Sequence, residues 1–381
     1  MKDLNFAVIG GGFMGKAHSI ALATFPMYVW PAPVFPRREL IVEINDDLAA
    51  ESQKRFGFNR AGTDWRAAVE DPKIDVVDIL LPNVLHHEVV MAAIEAGKHV
   101  ICEKPLALTS DLAREMADAA EKAGVVNQVG FNWRLTPAIQ LAKKLISEGA
   151  IGEVRSIRAF WLGEFFNDPD VPLVWRFKKD QAGSGALGDL GSHAIDFAHY
   201  LVGDITEVQG IQNHYVRERK TLDGAGMGPV DVDDATAFMV KFDAGATGYI
   251  ECSWSTPGRK SYAGFEVSGS RGTIAFDWER MGELRFYDGA DASDRQGFRT
   301  IHVGPPHPSG EHFWPIPGYQ ISYSDTKVIQ LLDFAKAVVG EVPQPQTTFR
   351  EGLQSTLVEE AVMESAVSGQ WTTVPSAKAG K

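Results

Sequence analysis

The chain is poor in cysteine, has no cluster of basic residues and has no long apolar run. Two cysteines in 381 residues, Cys102 and Cys252, cannot make a disulfide framework, and so low a count suits a reducing cytosol. Lys and Arg number 37 against 50 Asp and Glu, a formal charge of −13. Nucleic acid and anionic membrane both require clustered cations, so neither is an expected partner. No apolar stretch approaches the roughly 18 residues of a membrane span. A strand pattern begins almost at once and leaves no place for a secretory leader, so a cytoplasmic location is expected. The histidines lack the paired spacing of a zinc motif, and His-Glu-x-x-His is absent. No metal is expected.

What is present is ordinary globular composition, 44% apolar, in a chain long enough for two cores. An apolar run at 5–9 leads directly into Gly10-Gly-Gly12-Phe13-Met14-Gly15 and a helical pattern. In Gly-x-Gly-x-x-Gly between strand and helix, Gly10 makes the tight turn, Gly12 admits a pyrophosphate and Gly15 lets helix and strand close up. Phe13 and Met14, inside the motif, count with the cofactor contacts. The helix start offers free amide donors to an anion. Pro26, Pro31, Pro33 and Pro36 then mark a loop excluded from helix and sheet interior, read either as a rim or subunit contact or as a plain insertion. A second strand at 40–44 ends at Asn45-Asp46-Asp47. Asn45 and Asp46 stand where dinucleotide folds hold the adenosine ribose, and no Arg or Lys is near to take a 2′-phosphate. NAD is therefore expected over NADP, while Asp46 and Asp47 also suit a helix cap.

Further strand–helix units follow, with strands at 76–81, 98–102 and 125–129. Alternation of this kind means a doubly wound parallel sheet, which binds ligands at the carboxyl ends of its strands. Pro82, Asn83, His86, Glu103 and Lys104 fall at those ends, and Pro105 pins Lys104 in place. The character changes after Gly130. Residues 1–130 are read as an NAD(P)-binding Rossmann domain and 131–381 as an α+β domain for substrate binding and oligomerisation. In the latter, strand patterns at 154–161, 206–217, 233–242, 246–254, 261–268 and 273–276 with short turns imply an open, mostly antiparallel sheet. Its free face is expected to pair with another subunit. A segment at 291–318, with His302, His307 and His312, is irregular, and two helices close the chain.

One stretch in that second half carries chemistry. From about Gly188 the apolar spacing predicts a helix to 202, which sets Asp189, His193 and Asp196 on one face. A carboxylate one turn from an imidazole fixes its tautomer and keeps its proton affinity in the working range. The plainer reading is a satisfied buried His–Asp pair.

Taken in order, Gly10-x-Gly12-x-x-Gly15, Glu103-Lys104-Pro105 and Asp189-x-x-x-His193 make the chain resemble the glucose–fructose oxidoreductase / inositol dehydrogenase (Gfo/Idh/MocA) family. Within it, the proline-rich loop, Val174-Trp175-Arg176-Phe177 and Phe313-Trp-Pro-Ile-Pro are most similar to sugar and polyol dehydrogenases of the scyllo-inositol and levoglucosan types. The resemblance implies Lys104, Asp189 and His193 as the catalytic set. It also implies Arg176, with Asn132, Trp175 and His312, as substrate contacts, His312 serving its own or a neighbouring subunit's site. Asn45 departs from the commoner acidic residue. A homotetramer joined through the sheets is implied as well. The expected activity is NAD-dependent oxidation of a secondary hydroxyl on a cyclic polyol or sugar, scyllo-inositol or an L-glucose-like pyranose. Levoglucosan and myo-inositol are the alternatives within that class. Outside it stand an NAD-retaining glycoside hydrolase or lyase and a non-catalytic dinucleotide-binding protein.

Overall fold

A strand covered on both faces must be apolar on both, and residues 4–9 are buried except for Asn5 and carry no charge. They form most of β1 (Lys2–Ile9), central in a sheet completed by β2 (Val34–Val42), β3 (Arg60–Gly62), β4 (Val76–Ile79), β5 (His99–Cys102) and β6 (Asn127–Val129). The computed structural model describes residues 2–378. All pairings in this sheet are parallel, in the order β3-β2-β1-β4-β5-β6. The order reverses between β1 and β4, and the carboxyl ends there form the crevice of a doubly wound sheet.

The proline-rich stretch differs from the expected loop. Pro26 lies within the helix Phe13–Tyr28, near its end, where it removes one main-chain hydrogen bond. Pro36 lies within β2 opposite Leu4. β3 pairs only with Leu40–Val42, so β2 has a free edge at Pro36 and needs no donor on that side.

The chain divides into two compact units, one of residues up to Leu135 with Ile321–Leu353, the other of Thr136–Gln320 with Gln354–Ala377. A single boundary at 130 therefore misplaces 321–353, which belongs with the first unit. Helix Tyr323–Val338 packs on helix Phe13–Tyr28, with the rings of Tyr323 and Phe13 5.5 Å apart. Thr347 accepts the main-chain N–H of Val129, and Arg350 pairs with Asp118 and Glu121.

In the second unit the strands are β7 (Val154–Leu162), β8 (Ile205–Asn213), β9 (Glu218–Lys220), β10 (Met227–Pro229), β11 (Ala235–Phe242), β12 (Thr247–Ser253), β13 (Tyr262–Gly269), β14 (Gly272–Asp277), β15 (Glu283–Asp288), β16 (Arg299–His302) and β17 (Thr372–Thr373). Nine of them form one sheet, β16-β15-β14-β13-β7-β12-β11-β8-β17, while β9 and β10 pair apart. Among the described residues of this sheet, only β7 and β12 run parallel. Helices Pro137–Ser147 and Ser192–Leu201 cover one face. The other carries the cross-strand row Gln209, Met239, Tyr249, Arg158, Glu266, with Arg158 and Glu266 paired at 2.8 Å. β8 stops at Asn213 rather than running to 217, because the next residues turn away into the β9–β10 ribbon.

Candidate active site

In the first unit the glycine turn closes on itself. Gly10 has φ +106°, and a β-carbon there would lie 2.6 Å from the carbonyl oxygen of Leu80. Its N–H donates to Val42 at the end of β2. A β-carbon on Gly15 would lie 2.3 Å from the Gly10 oxygen, whereas one on Gly12 would meet nothing within 4 Å. Gly12 caps the helix Phe13–Tyr28 without a side-chain bond, and the first turn holds no acidic residue. Open space above an uncapped helix start is what a pyrophosphate requires, so the residues present fit a dinucleotide. Phe13 is 71% exposed at this turn, and the Met14 sulfur accepts the Tyr323 hydroxyl at 3.6 Å.

Beyond β2, the side chain nearest the turn belongs to Glu43, which was not among the candidates. Its Oε1 accepts the Gly11 N–H at 2.9 Å and the Ser52 hydroxyl at 3.3 Å. Counted as a strand residue, Glu43 escaped notice; β2 ends one residue before it. Asn45 caps the next helix through the Leu48 N–H, with Asp46 and Asp47 in the first turn.

Past β4, Pro82 and the buried Asn83 lead a short turn. His86 is fully buried, its ring nitrogens 3.0 Å from the Pro105 carbonyl and 2.9 Å from that of Leu81. Burial holds its pKa below the ordinary histidine value. Grouped with the cofactor contacts in the sequence, His86 is enclosed by main chain and ties the loop after β4 to the one after β5. Glu103 stands beside it at the end of β5. It is 6% exposed and turns inward, toward His18 and Lys327. Lys104 is half-buried, and its N–H donates to Glu103 Oε2 at 3.3 Å. Asn132 is buried, its amide nitrogen donating to Thr326 at 2.6 Å.

In the second unit the helix expected from Gly188 is split. Leu187–Gly191 is a π turn, and the α-helix runs Ser192–Leu201. Asp233 causes the difference. Its carboxylate accepts the N–H groups of Gly185 at 2.7 Å and Leu187 at 2.9 Å, and the Thr236 hydroxyl at 2.7 Å. A β-carbon on Gly185 would lie 2.0 Å from the Asp233 oxygen. Wide single turns of this kind recur at functional sites. Asp189, in the π turn, remains partly exposed and stands 3.8 Å from Arg176 Nε. The Arg176 guanidinium lies 4.4 Å from the Trp175 ring centroid. His193 is the second residue of the α-helix, 3% exposed, its ring 5.4 Å from that of Trp161. Trp161, on β7, is another residue the sequence reading missed. An ion pair as exposed as Arg176–Asp189 contributes about 0–1 kcal/mol to stability. His312 lies in a short turn, Gly310–His312, with its Nε2 3.5 Å from Glu311.

Both parts of the chain match known protein families. Residues 4–131 match the model of an oxidoreductase family with an NAD-binding Rossmann fold, and 139–275 match the GFO/IDH/MocA C-terminal domain. Levoglucosan dehydrogenase of Pseudarthrobacter phenanthrenivorans is 46% identical over 391 residues, spanning 100% of both chains. A solved levoglucosan dehydrogenase in complex with NADH and levoglucosan superposes with a TM-score of 0.96 at 48% identity, over 98% of this chain and 100% of the other. The scyllo-inositol 2-dehydrogenase (NAD(+)) of Bacillus subtilis is 29% identical over 87% of this chain and 85% of its own. With both family domains present and one relative similar from end to end, the chain belongs to the GFO/IDH/MocA oxidoreductases and carries their NAD-binding Rossmann fold.

Proposed function

We propose that this dehydrogenase oxidises a secondary hydroxyl of an anhydrosugar, levoglucosan first, or of a closely related pyranose. The observation that carries the choice is the 46% identity with a levoglucosan dehydrogenase along the whole of both chains, against 29% for the scyllo-inositol enzyme.

NAD, when bound, supplies the hydride acceptor. Everything else falls to side chains of this chain. As hydride leaves carbon, charge builds on the hydroxyl oxygen, which needs a base within about 3 Å and a cation or donor beside it. His193 takes the hydroxyl proton, and the Lys104 ammonium holds the developing negative charge. Asp189 accepts a hydrogen bond from a neighbouring hydroxyl. Arg176, Trp175 and Asn132 select which carbon is presented, and His312 closes the site in its own or a neighbouring subunit. Glu43 and Asp46 set negative charge beside the ribose position, which disfavours a 2′-phosphate. Residues 1–130 hold the cofactor and 131–381 the sugar, apart from Lys104, which serves the sugar, and the returning segment 321–353, which belongs with the first unit. The free sheet face, with Met239 and Tyr249 exposed, joins subunits into a tetramer in the cytoplasm.

The test is a spectrophotometric panel of NAD and NADP against levoglucosan, scyllo-inositol, myo-inositol and both glucose enantiomers. Stoichiometric NADH formation fastest with levoglucosan is expected. Activity confined to inositols overturns the substrate, and glycoside cleavage without net NADH release overturns the reaction.

A further inference from the structure

Four ionisable side chains meet inside the first unit, and the chemistry above uses none of them. His18, Asp78, Glu103 and Lys327 are 5%, 1%, 6% and 2% exposed. They come from the glycine-turn helix, β4, the end of β5 and the helix Tyr323–Val338. His18 Nδ1 lies 2.8 Å from Asp78 Oδ2, and Nε2 lies 3.1 Å from Glu103 Oε1. Lys327 Nζ donates to the same Glu103 oxygen at 2.7 Å and to Gln330 at 3.0 Å. The other Glu103 oxygen accepts the N–H of Lys104 at 3.3 Å. Gly130 closes the far side, where a β-carbon would lie 2.7 Å from Glu103 Oε2.

The geometry favours one protonation state. A neutral imidazole has one N–H, yet both ring nitrogens of His18 face carboxylate oxygens. Both contacts are satisfied with ionised carboxylates only when the ring is an imidazolium. Two anions and two cations then cancel, as buried charge requires. The groups facing the ring from other elements are Asp78, Glu103, Lys327 and Gln330. Nearby Cys102 has its thiol pushed up by burial and His86 its pKa lowered by burial, so both stay uncharged near neutrality. Burial and Lys327 oppose charge on His18, but Asp78 and Glu103 outweigh them and its pKa is raised. Burial likewise opposes charge on Glu103, yet Lys327 and His18 hold its carboxyl well below the ordinary range.

We propose that His18 and Lys327 are positioning residues: together they clamp Glu103, and Glu103 fixes the main chain of Lys104 so that its ammonium is presented in one place. The inference rests on the reading of Lys104 as a catalytic residue and extends it to two residues remote in sequence. A displacement on the order of 1 Å in a reacting group costs about 10²-fold in rate.

The experiment uses the full-length protein. Sugar and NAD kinetics are measured from neutral to alkaline pH for wild type, Lys104→Met, His18→Gln, Lys327→Met and Lys327→Arg, with NADH affinity read separately by fluorescence. His18→Gln and Lys327→Met should lose roughly 10- to 100-fold in kcat with NADH affinity near wild type. Lys327→Arg should recover most of the loss. An alkaline fall in kcat present in wild type should be missing from His18→Gln. If both variants keep wild-type kcat and pH profile while Lys104→Met is inactive, the clamp is wrong and the catalytic lysine stands. A fully active Lys104→Met overturns the lysine and the clamp with it. Nitrogen-15 histidine spectra of the wild type give a reading that needs no variant to fold. Both His18 nitrogens should stay protonated at a pH where exposed histidines are neutral, and a neutral His18 ring there overturns the clamp.

Discussion

Gly12 and Gly15 share one turn of chain, yet a methyl group at each should have opposite consequences. At Gly12 a β-carbon meets nothing within 4 Å; at Gly15 it would meet the Gly10 oxygen at 2.3 Å. Gly12→Val should therefore leave the melting temperature near wild type and weaken NADH binding, measured by fluorescence titration, because the added carbons occupy the space left for pyrophosphate. Gly15→Val should lower the melting temperature as well. Equal effects on both properties at both sites would contradict the cradle. The role of His193 is tested at the same scale. His193→Ala should cut kcat by roughly 10²–10⁴-fold and leave NADH affinity nearly intact; unchanged turnover removes it as the base. The glycine turn was legible in the sequence because a motif of six consecutive positions sets its own geometry. Glu43 was not, since its role depends on β2 ending at Val42 rather than two residues later, a boundary that apolar patterning does not fix.

The π turn Leu187–Gly191 is held at its start by a residue far along the chain. Apolar spacing announced a helix here but cannot separate a π from an α turn, because the deciding contact comes from Asp233. That carboxylate takes two main-chain N–H groups and one hydroxyl. Asp233→Ala leaves all three donors unmatched, at about 1–3 kcal/mol for each buried group. It should lower stability by several kcal/mol in urea unfolding. It should also raise the sugar KM more than the NAD KM, since Asp189 hangs from the same turn. Asp233→Asn keeps an acceptor oxygen and should cost less. A rise confined to the NAD KM would detach Asp233 from the sugar side. The proline-rich stretch was misread for a related reason. A proline is tolerated on whichever side of a strand lacks a neighbour, and strand order is not written in local sequence.

At the scale of the whole molecule, the chain leaves its first unit at Leu135 and returns to it at Ile321. On the return it delivers Lys327 into the carboxylates already there. Nothing near Lys327 in sequence marks it, because its partner Glu103 lies 224 residues away. Removing one member of a buried ion pair costs about 3–5 kcal/mol, a large part of the roughly 5–15 kcal/mol that holds a domain folded. Lys327→Met should therefore lower the urea midpoint more than the loss of any exposed pair such as Arg158–Glu266. The pH dependence follows from the direction of each shift. Glu103 titrates well below its ordinary value, so its contribution is full above that ordinary value and is lost as pH falls through the folded one. His18 titrates above its ordinary value, so its contribution is full below that value and is lost as pH rises through the folded one. Wild-type stability should fall on both sides of a mildly acidic to neutral maximum. In Lys327→Met the acid-side fall should shrink, because Glu103 then gains less on ionising. In His18→Gln the alkaline fall should shrink, and the acid-side fall with it, because His18 also holds the Glu103 carboxyl down. Urea midpoints across the pH range, compared among the three proteins, check both slopes; parallel curves would mean that neither group is linked to folding as the buried network requires.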